Sequence, residues 1–267
     1  MKYHYAESLE DALALAATHP DFLLMCGSTD VAVTLKKQKT VKGIIDINAL
    51  DELRYIDRSE KEVRIGALTT ITEILEDEKI GRFLPLLTAA SQQFASRQIR
   101  NLATLGGNIA NASPAADLTA VLLVLDASIT LGSTEGERTL ALKDLFCGYK
   151  CTKLDHEIIL SITIPLKQHT WYYRKTGVRE RLNIAKAGLA VIKSSSGYAV
   201  SGTSLTPYAV RFNQVEQLLN TGEFSEESLQ EALAQDISPS GSFRSTKAYR
   251  MRVAYNMLKE ALSKLEA

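Results

Sequence analysis

Apolar and polar positions alternate at helical spacing over residues 8–19, with Ser8 placed to cap the first turn, so an amphipathic helix is predicted there. Phe22-Leu23-Leu24-Met25 is an apolar run that ends in the small, polar Cys26-Gly27-Ser28-Thr29-Asp30-Val31 and continues into the apolar and basic stretch 32–37, which reads as strand, turn and helix. Short strands are predicted at 44–47 and 62–67, helices at 70–76 and 88–96, a buried helix at 121–125, and a strand at 127–131 that enters a turn at 132–137. Beyond Pro165 the pattern changes to strands around 171–175, 188–193 and 198–201, followed by helices near 215–220, 225–235 and 246–262. A mixed α/β region followed by strands and then helices predicts an α+β chain, with its linker in the polar stretch 166–170.

Between two apolar runs, Thr104-Leu105-Gly106-Gly107-Asn108 combines paired glycines with polar side chains. Backbone N–H groups at adjacent glycines can approach an anion unobstructed, and Thr104 and Asn108 can add donors, so the segment reads as a phosphate cradle. The same residues also read as a Gly-Gly turn leading into an N-capped helix. The 26–31 turn offers a second anion site, since unpaired amides and the helix dipole both favour negative charge at a helix start. Neither segment is a G-x-G-x-x-G fingerprint or a Walker motif, so a Rossmann or P-loop reading has no support.

With 267 residues and 45% hydrophobic composition, the chain can bury a sizeable core. Its 31 basic and 31 acidic residues cancel, leaving no field that favours nucleic acid or an anionic membrane surface, and Lys36-Lys37-Gln38-Lys39 is too short to change that. No membrane-spanning run and no signal-peptide core is visible, so a cytoplasmic location is expected. Cys147 and Cys151 sit four apart, but only Cys26 remains as a third thiol and His4, His19, His156 and His169 are scattered, so no metal site is expected. The odd cysteine count and a reducing compartment argue against a disulfide scaffold.

Cys26-Gly27-Ser28-Thr29-Asp30 and the run from Thr104 to Asp117-Leu118 stand where the FAD-binding medium subunits of the molybdenum hydroxylases carry A-G-G-T-D and T-x-G-G-N-I-x-x-A-S-P-x-x-D-L. The chain resembles that family, of the xanthine dehydrogenase and carbon monoxide dehydrogenase type. The likeness continues through Glu157-Ile158-Ile159-Leu160-Ser161-Ile162-Thr163-Ile164-Pro165, Tyr173-Arg174-Lys175-Thr176-Gly177-Val178-Arg179, Ile184-Ala185-Lys186 and Phe243-Arg244-Ser245-Thr246-Lys247-Ala248-Tyr249-Arg250, so it covers nearly the whole chain. It departs from the family pattern at Ser28, which replaces a glycine, and at Asn183 and Ser242, which replace aspartates.

The resemblance implies a two-part α/β FAD-binding domain of the PCMH type over residues 1–168, followed by a smaller α+β domain with an antiparallel sheet and C-terminal helices over 169–267. Leu24, Met25, Cys26, Gly27, Ser28, Thr29, Asp30 and Val31 are implied to hold one side of the FAD diphosphate, and Thr104, Leu105, Gly106, Gly107 and Asn108 the other. Phe94 stands where relatives pack against the flavin, with a plain core position as the alternative. Asp117 is implied to accept hydrogen bonds from the cofactor, and it could equally cap the following helix. Ile159 would cover the adenine side, unless it is simply core. Lys175 would stand as a cation beside the flavin ring, or else as a solvated lysine on a strand edge, and Tyr172 or Tyr173 would flank the ring. No catalytic side chain is needed on the polypeptide, because the cofactor carries the redox step. The implied function is electron transfer from the [2Fe–2S] clusters of a small partner subunit through FAD to NAD or another acceptor, in complex with a molybdopterin-binding large subunit. A free-standing FAD-dependent oxidase and a non-catalytic flavin-binding accessory protein are the alternatives.

Overall fold

The structure, a computed structural model, describes residues 1–37, 40–179 and 184–266; Asn183 and the Gln38-Lys39 part of the basic cluster lie outside the described residues. The first lobe contains β1 (Lys2–Tyr5), α1 (Leu9–Thr18), β2 (Leu23–Met25), α2 (Val31–Lys37) and β3 (Gly43–Asp46). Its three strands form a parallel sheet in the order β1-β3-β2. Parallel neighbours need a crossover, and α1 and α2 provide it. Ser8 caps α1 as predicted, its hydroxyl accepting the Asp11 N–H at 3.1 Å, and the buried Ala12 and Ala16 join Ile45 and Ile47 in this lobe's core. The 26–31 turn leaves the carboxyl end of β2, where ligands of parallel sheets collect.

The second lobe holds β4 (Ile56–Arg58), β5 (Glu62–Gly66), α3 (Ile71–Glu76), α4 (Glu78–Phe83), α5 (Pro85–Gln92), α6 (Arg97–Arg100), α7 (Leu105–Ala110), α8 (Asp117–Val124), β6 (Ser128–Ser133), β7 (Gly136–Ala141), β8 (Phe146–Gly148), β9 (Cys151–Thr152) and β10 (Ile158–Pro165). Five of these strands form a sheet in the order β4-β5-β10-β6-β7 with antiparallel pairing. A bulge between Ile159 and Ser161 lets β10 serve two cores: Ile158 and Leu160 pack with the first lobe, while Ile159, Ile162 and Ile164 pack with the second. The all-apolar run at the end of α8 is buried on every side, as its lack of periodicity predicted.

The third lobe is the antiparallel sheet β11 (His169–Thr176), β12 (Ala187–Ser194) and β13 (Gly197–Thr203), covered by α9 (Asn213–Thr221), α10 (Glu226–Asp236) and α11 (Lys247–Glu266). α8 of the second lobe packs on β12 and β13.

Three expectations need correction. The helix predicted at 88–96 begins earlier, at Pro85, whose fixed φ suits a first helical position, and ends at Gln92; Phe94 lies in the turn beyond it, before Ala95 at φ +36°. The strands at 128–141 extend into the predicted turn, which shrinks to Thr134-Glu135. Cys147 and Cys151 form a disulfide, because the β8–β9 reversal brings their Cα atoms to 5.2 Å, well within bridging range; Cys26 is the free thiol. Among the described residues no group of histidine, cysteine and carboxylate side chains could hold a metal ion, and no helix is long and apolar enough to cross a membrane.

Candidate functional site

The 26–31 turn and the start of α7 meet face to face. A Cβ on Gly27 would lie 1.6 Å from the Leu102 carbonyl oxygen, so only glycine allows the two segments to touch. Cys26 Sγ lies 3.2 Å from Thr104 Oγ1, closing the same seam with a side-chain hydrogen bond. Ser28 takes φ +58°, the left-handed region that favours the glycine it replaces.

The two segments differ in what they offer. Among the described residues, the backbone N–H groups of Gly27, Ser28, Thr29, Asp30 and Val31 have no protein acceptor. On the other side the amides are already committed. Leu105 N–H donates to Thr69 O (3.0 Å), Gly106 N–H to Ala67 O (2.9 Å), Gly107 N–H to Thr104 Oγ1 (3.1 Å) and Asn108 N–H to Thr104 O (3.0 Å). Thr104 is therefore the N-cap of α7, and the paired glycines are helical. Their role is close approach: a Cβ on Gly106 would meet Ala67 Cβ at 2.7 Å, and one on Gly107 would meet Thr104 Oγ1 at 2.8 Å. On this wall the Asn108 Oδ1 is buried with no hydrogen-bond partner among the described residues.

Between the walls lies a cavity of about 310 Å³ lined by Leu24, Cys26, the 27–31 turn, Phe94, Thr104, Gly107 and Asn108, among others. Gly106 and Ile159 line an adjoining recess that shares Leu24, Cys26 and Gly107 with it. Among the described residues Asp30 is the only charged side chain on the main cavity, so of these it is the backbone N–H groups that could meet an anion there. The unpaired amides and a cradle that admits no Cβ at Gly27 fit a phosphodiester-linked cofactor, whose oxygens accept from backbone N–H groups, whereas the buried Asn108 Oδ1 calls for a donor. The wall of the recess is braced where Arg138 grips Glu157 with two hydrogen bonds (2.5 and 2.7 Å), which holds the Glu157 carboxyl below its ordinary range.

The remaining candidates fall elsewhere. Leu105 is in the core, and Met25 lies in β2 with its carbonyl accepting the Ile47 N–H (2.9 Å). Asp117 and Lys175 form a buried ion pair at 2.5 Å, their side chains 6% and 3% exposed, so Lys175 is not a solvated edge residue. Nor does Asp117 cap α8; Ala116 holds that position. Lys175 Nζ also donates to Gln93 O (3.0 Å), which ties the pair to the residue preceding cavity-lining Phe94. Burial pushes the Asp117 carboxyl up to about 6, with Lys175 opposing the shift. Strand alternation turns Tyr173 toward the second-lobe core, where burial and the Asp117 charge raise its hydroxyl well above the ordinary value; Tyr172 faces the C-terminal helices. Sequence reasoning missed the Leu102 carbonyl and the Gln93 carbonyl. Gly27 was the only signal for the first, and a backbone acceptor leaves no trace for the second.

Residues 1–167 match the family model "FAD binding domain in molybdopterin dehydrogenase", and 177–265 match "CO dehydrogenase flavoprotein C-terminal domain". The chain is 32% identical over 279 residues to the xanthine dehydrogenase FAD-binding subunit of Escherichia coli O157:H7, covering 99% of this chain and 96% of that one. It is 31% identical over 275 residues to the carbon monoxide dehydrogenase medium chain of Hydrogenophaga pseudoflava, covering 98% and 96%. The solved carbon monoxide dehydrogenase of H. pseudoflava superposes with a TM-score of 0.91 at 29% identity, over 99% of this chain and 96% of that one. A family model spanning more than half the chain, and relatives above 30% identity over nearly all of it, lead to one conclusion: the chain belongs to the FAD-binding (medium) subunits of the xanthine and carbon monoxide dehydrogenase family.

Proposed function

We propose that this chain is the electron-transfer subunit of a cytoplasmic molybdenum hydroxylase, standing between the [2Fe–2S] clusters of a small subunit and NAD or another acceptor, with substrate oxidation on a molybdopterin-binding large subunit. The observation that carries the reading is the row of backbone N–H groups at 27–31 that have no protein acceptor among the described residues, on a turn that lines the cavity. In this reading those amides hold the diphosphate, while Thr104 and Gly107 set the distance between the walls. Leu24 and Ile159 supply apolar cover in the recess, Phe94 lines the main cavity, and the buried Asp117–Lys175 pair is tied to the Gln93 carbonyl next to it. The domain boundary falls at Gln168/His169, just before β11.

When bound, FAD supplies the exchange between one-electron donors and a two-electron acceptor. The chain's own residues bind it, orient it and exclude water. Asp117 and Lys175 hold a paired charge out of solvent, with Lys175 also bonded to the carbonyl of Gln93, the residue before Phe94.

Cofactor extraction followed by chromatography tests the binding half of the proposal: FAD is expected, and FMN alone or no flavin affinity would contradict it. Metal analysis of the complex purified on a tag in this chain tests the rest. Iron and molybdenum should accompany the flavin, whereas a metal-free chain that oxidises an organic substrate by itself would contradict it.

A further inference from the structure

α5 ends at Gln92, and the carbonyls at and beyond a helix end have no intrahelical partner. Here three consecutive ones, those of Gln93, Phe94 and Ala95, each accept from a cationic side chain: Lys175 Nζ donates to Gln93 O (3.0 Å), and Arg100 Nη1 to both Phe94 O (2.8 Å) and Ala95 O (3.3 Å). Cations placed there also meet the negative end of the helix dipole. Lys175 divides its ammonium between this turn and Asp117, whereas among the described residues the Arg100 guanidinium bonds to the turn alone. The turn needs holding, because Ala95 at φ +36° sits in the left-handed region, which costs a residue with a Cβ free energy.

What this clamp fixes is Phe94, whose side chain lines the main cavity. The backbone that carries Arg100 is itself fastened to the cradle. Ser96 Oγ caps α6 by accepting the Ile99 N–H (3.2 Å), and the chain leaves the helix through Leu102 N–H to Ile99 O (3.1 Å) and Ala103 N–H to Ile99 O (2.7 Å). The next contact is the Leu102 carbonyl, packed against Gly27 so closely that a Cβ there would lie 1.6 Å from its oxygen. One short helix therefore joins the Phe94 turn to the contact between the two walls. We propose that Arg100 is a positioning residue for the cofactor: its guanidinium holds the 93–95 turn so that the Phe94 ring stays against the flavin, in fixed register with the diphosphate cradle. The proposal rests on the reading of this cavity as the FAD site and of Phe94 as a flavin contact. Pre-setting the ring in this way removes an ordering cost that FAD binding would otherwise bear.

The test is a double-variant cycle on FAD affinity, measured by titrating FAD into the flavin-stripped full chain, with the visible circular dichroism of the bound flavin as a second readout. Phe94→Ala and Arg100→Met are each expected to raise the FAD Kd about tenfold and to alter the flavin dichroism in the same sense. In the Phe94→Ala background Arg100→Met should add less than about twofold, since the clamp then has no ring to place. Should Arg100→Met fail to fold, Arg100→Gln, too short to span the same distance, takes its place in the cycle. A wild-type chain with no affinity for FAD would overturn the reading of the cavity, and a Phe94→Ala variant with wild-type affinity and dichroism would overturn the reading of Phe94; either removes this proposal with it. Weakened binding in Phe94→Ala beside wild-type affinity and dichroism in the Arg100 variant would overturn the role of Arg100 alone. So would a loss from the Arg100 variant that recurs undiminished in the Phe94→Ala background, because a residue acting through Phe94 has nothing left to act on there.

Discussion

The two walls of the cavity are built on opposite principles. The 26–31 turn leaves its backbone donors unpaired, whereas the wall at the start of α7 has its first-turn amides bonded to protein acceptors. Glycine serves both walls, for different reasons. Gly27 lets backbone meet backbone, while Gly106 lets a helix lie against Ala67. The difference shows that a Gly-rich segment and an anion-binding segment are separate properties: the donors lie where the backbone fails to bond itself, and the glycine pair marks the rigid surface they face.

The largest effect should come from breaking the buried ion pair that anchors the chain next to Phe94. Lys175→Met leaves the Asp117 carboxylate buried without its cation, and unfolding in urea should show a loss of about 3–5 kcal/mol. The double variant with Asp117→Asn should recover a good part of it; if the two losses simply add, the residues are not coupled. Gly27→Ala attacks the contact between the walls. With Cβ forced to within 1.6 Å of the Leu102 oxygen, one segment must move, and a loss of about 3 kcal/mol with failure to retain FAD on gel filtration is expected. Full FAD retention would show that the walls need not touch.

The Asp117 shift sets a pH dependence of order 2 kcal/mol. Its carboxyl titrates near 6 in the folded state and at 3.8 when unfolded, so the folded protein binds the additional proton between those values. This group's contribution is therefore fully favourable below about pH 4, diminishes as pH rises, and is lost above 6. Comparing urea unfolding at pH 4.5 and 7 for the wild type and Asp117→Asn isolates it; equal pH slopes would place the titration elsewhere. The smallest effect concerns the unpaired wall. Ser28→Gly relieves a left-handed conformation but adds chain entropy to the unfolded state, for a net gain of about 0.5 kcal/mol. A destabilised variant would mean that the Ser28 hydroxyl has a role of its own.

Much of this was legible beforehand because local rules decide it. The Ser8 cap, the β2 to α2 turn, the apolar α8 and the three strands of the third lobe each follow from short-range pattern. Thr104 carried two readings, anion donor and helix cap, and tertiary hydrogen bonds at Ala67 and Thr69 selected the cap by consuming the neighbouring amides. Lys175 was read as flavin-proximal or solvated. Its ion pair with Asp117 joins residues 58 positions apart, which no periodicity reports. The Cys147–Cys151 bridge depended on a two-strand reversal too short to stand out in the pattern. Ser28 was visible as a departure, and its cost became interpretable only with its φ angle.

Residue-resolved amide hydrogen exchange, with and without added FAD, tests the difference between the walls most directly. In the FAD-free protein the amides of 27–31 should exchange quickly and those of Leu105, Gly106 and Gly107 slowly, because only the second set is bonded to protein. Adding FAD should slow the 27–31 set by about tenfold or more and leave the 105–107 set nearly unchanged. New protection confined to 105–107, with 27–31 still exchanging freely, would contradict the assignment of the diphosphate to the unpaired turn.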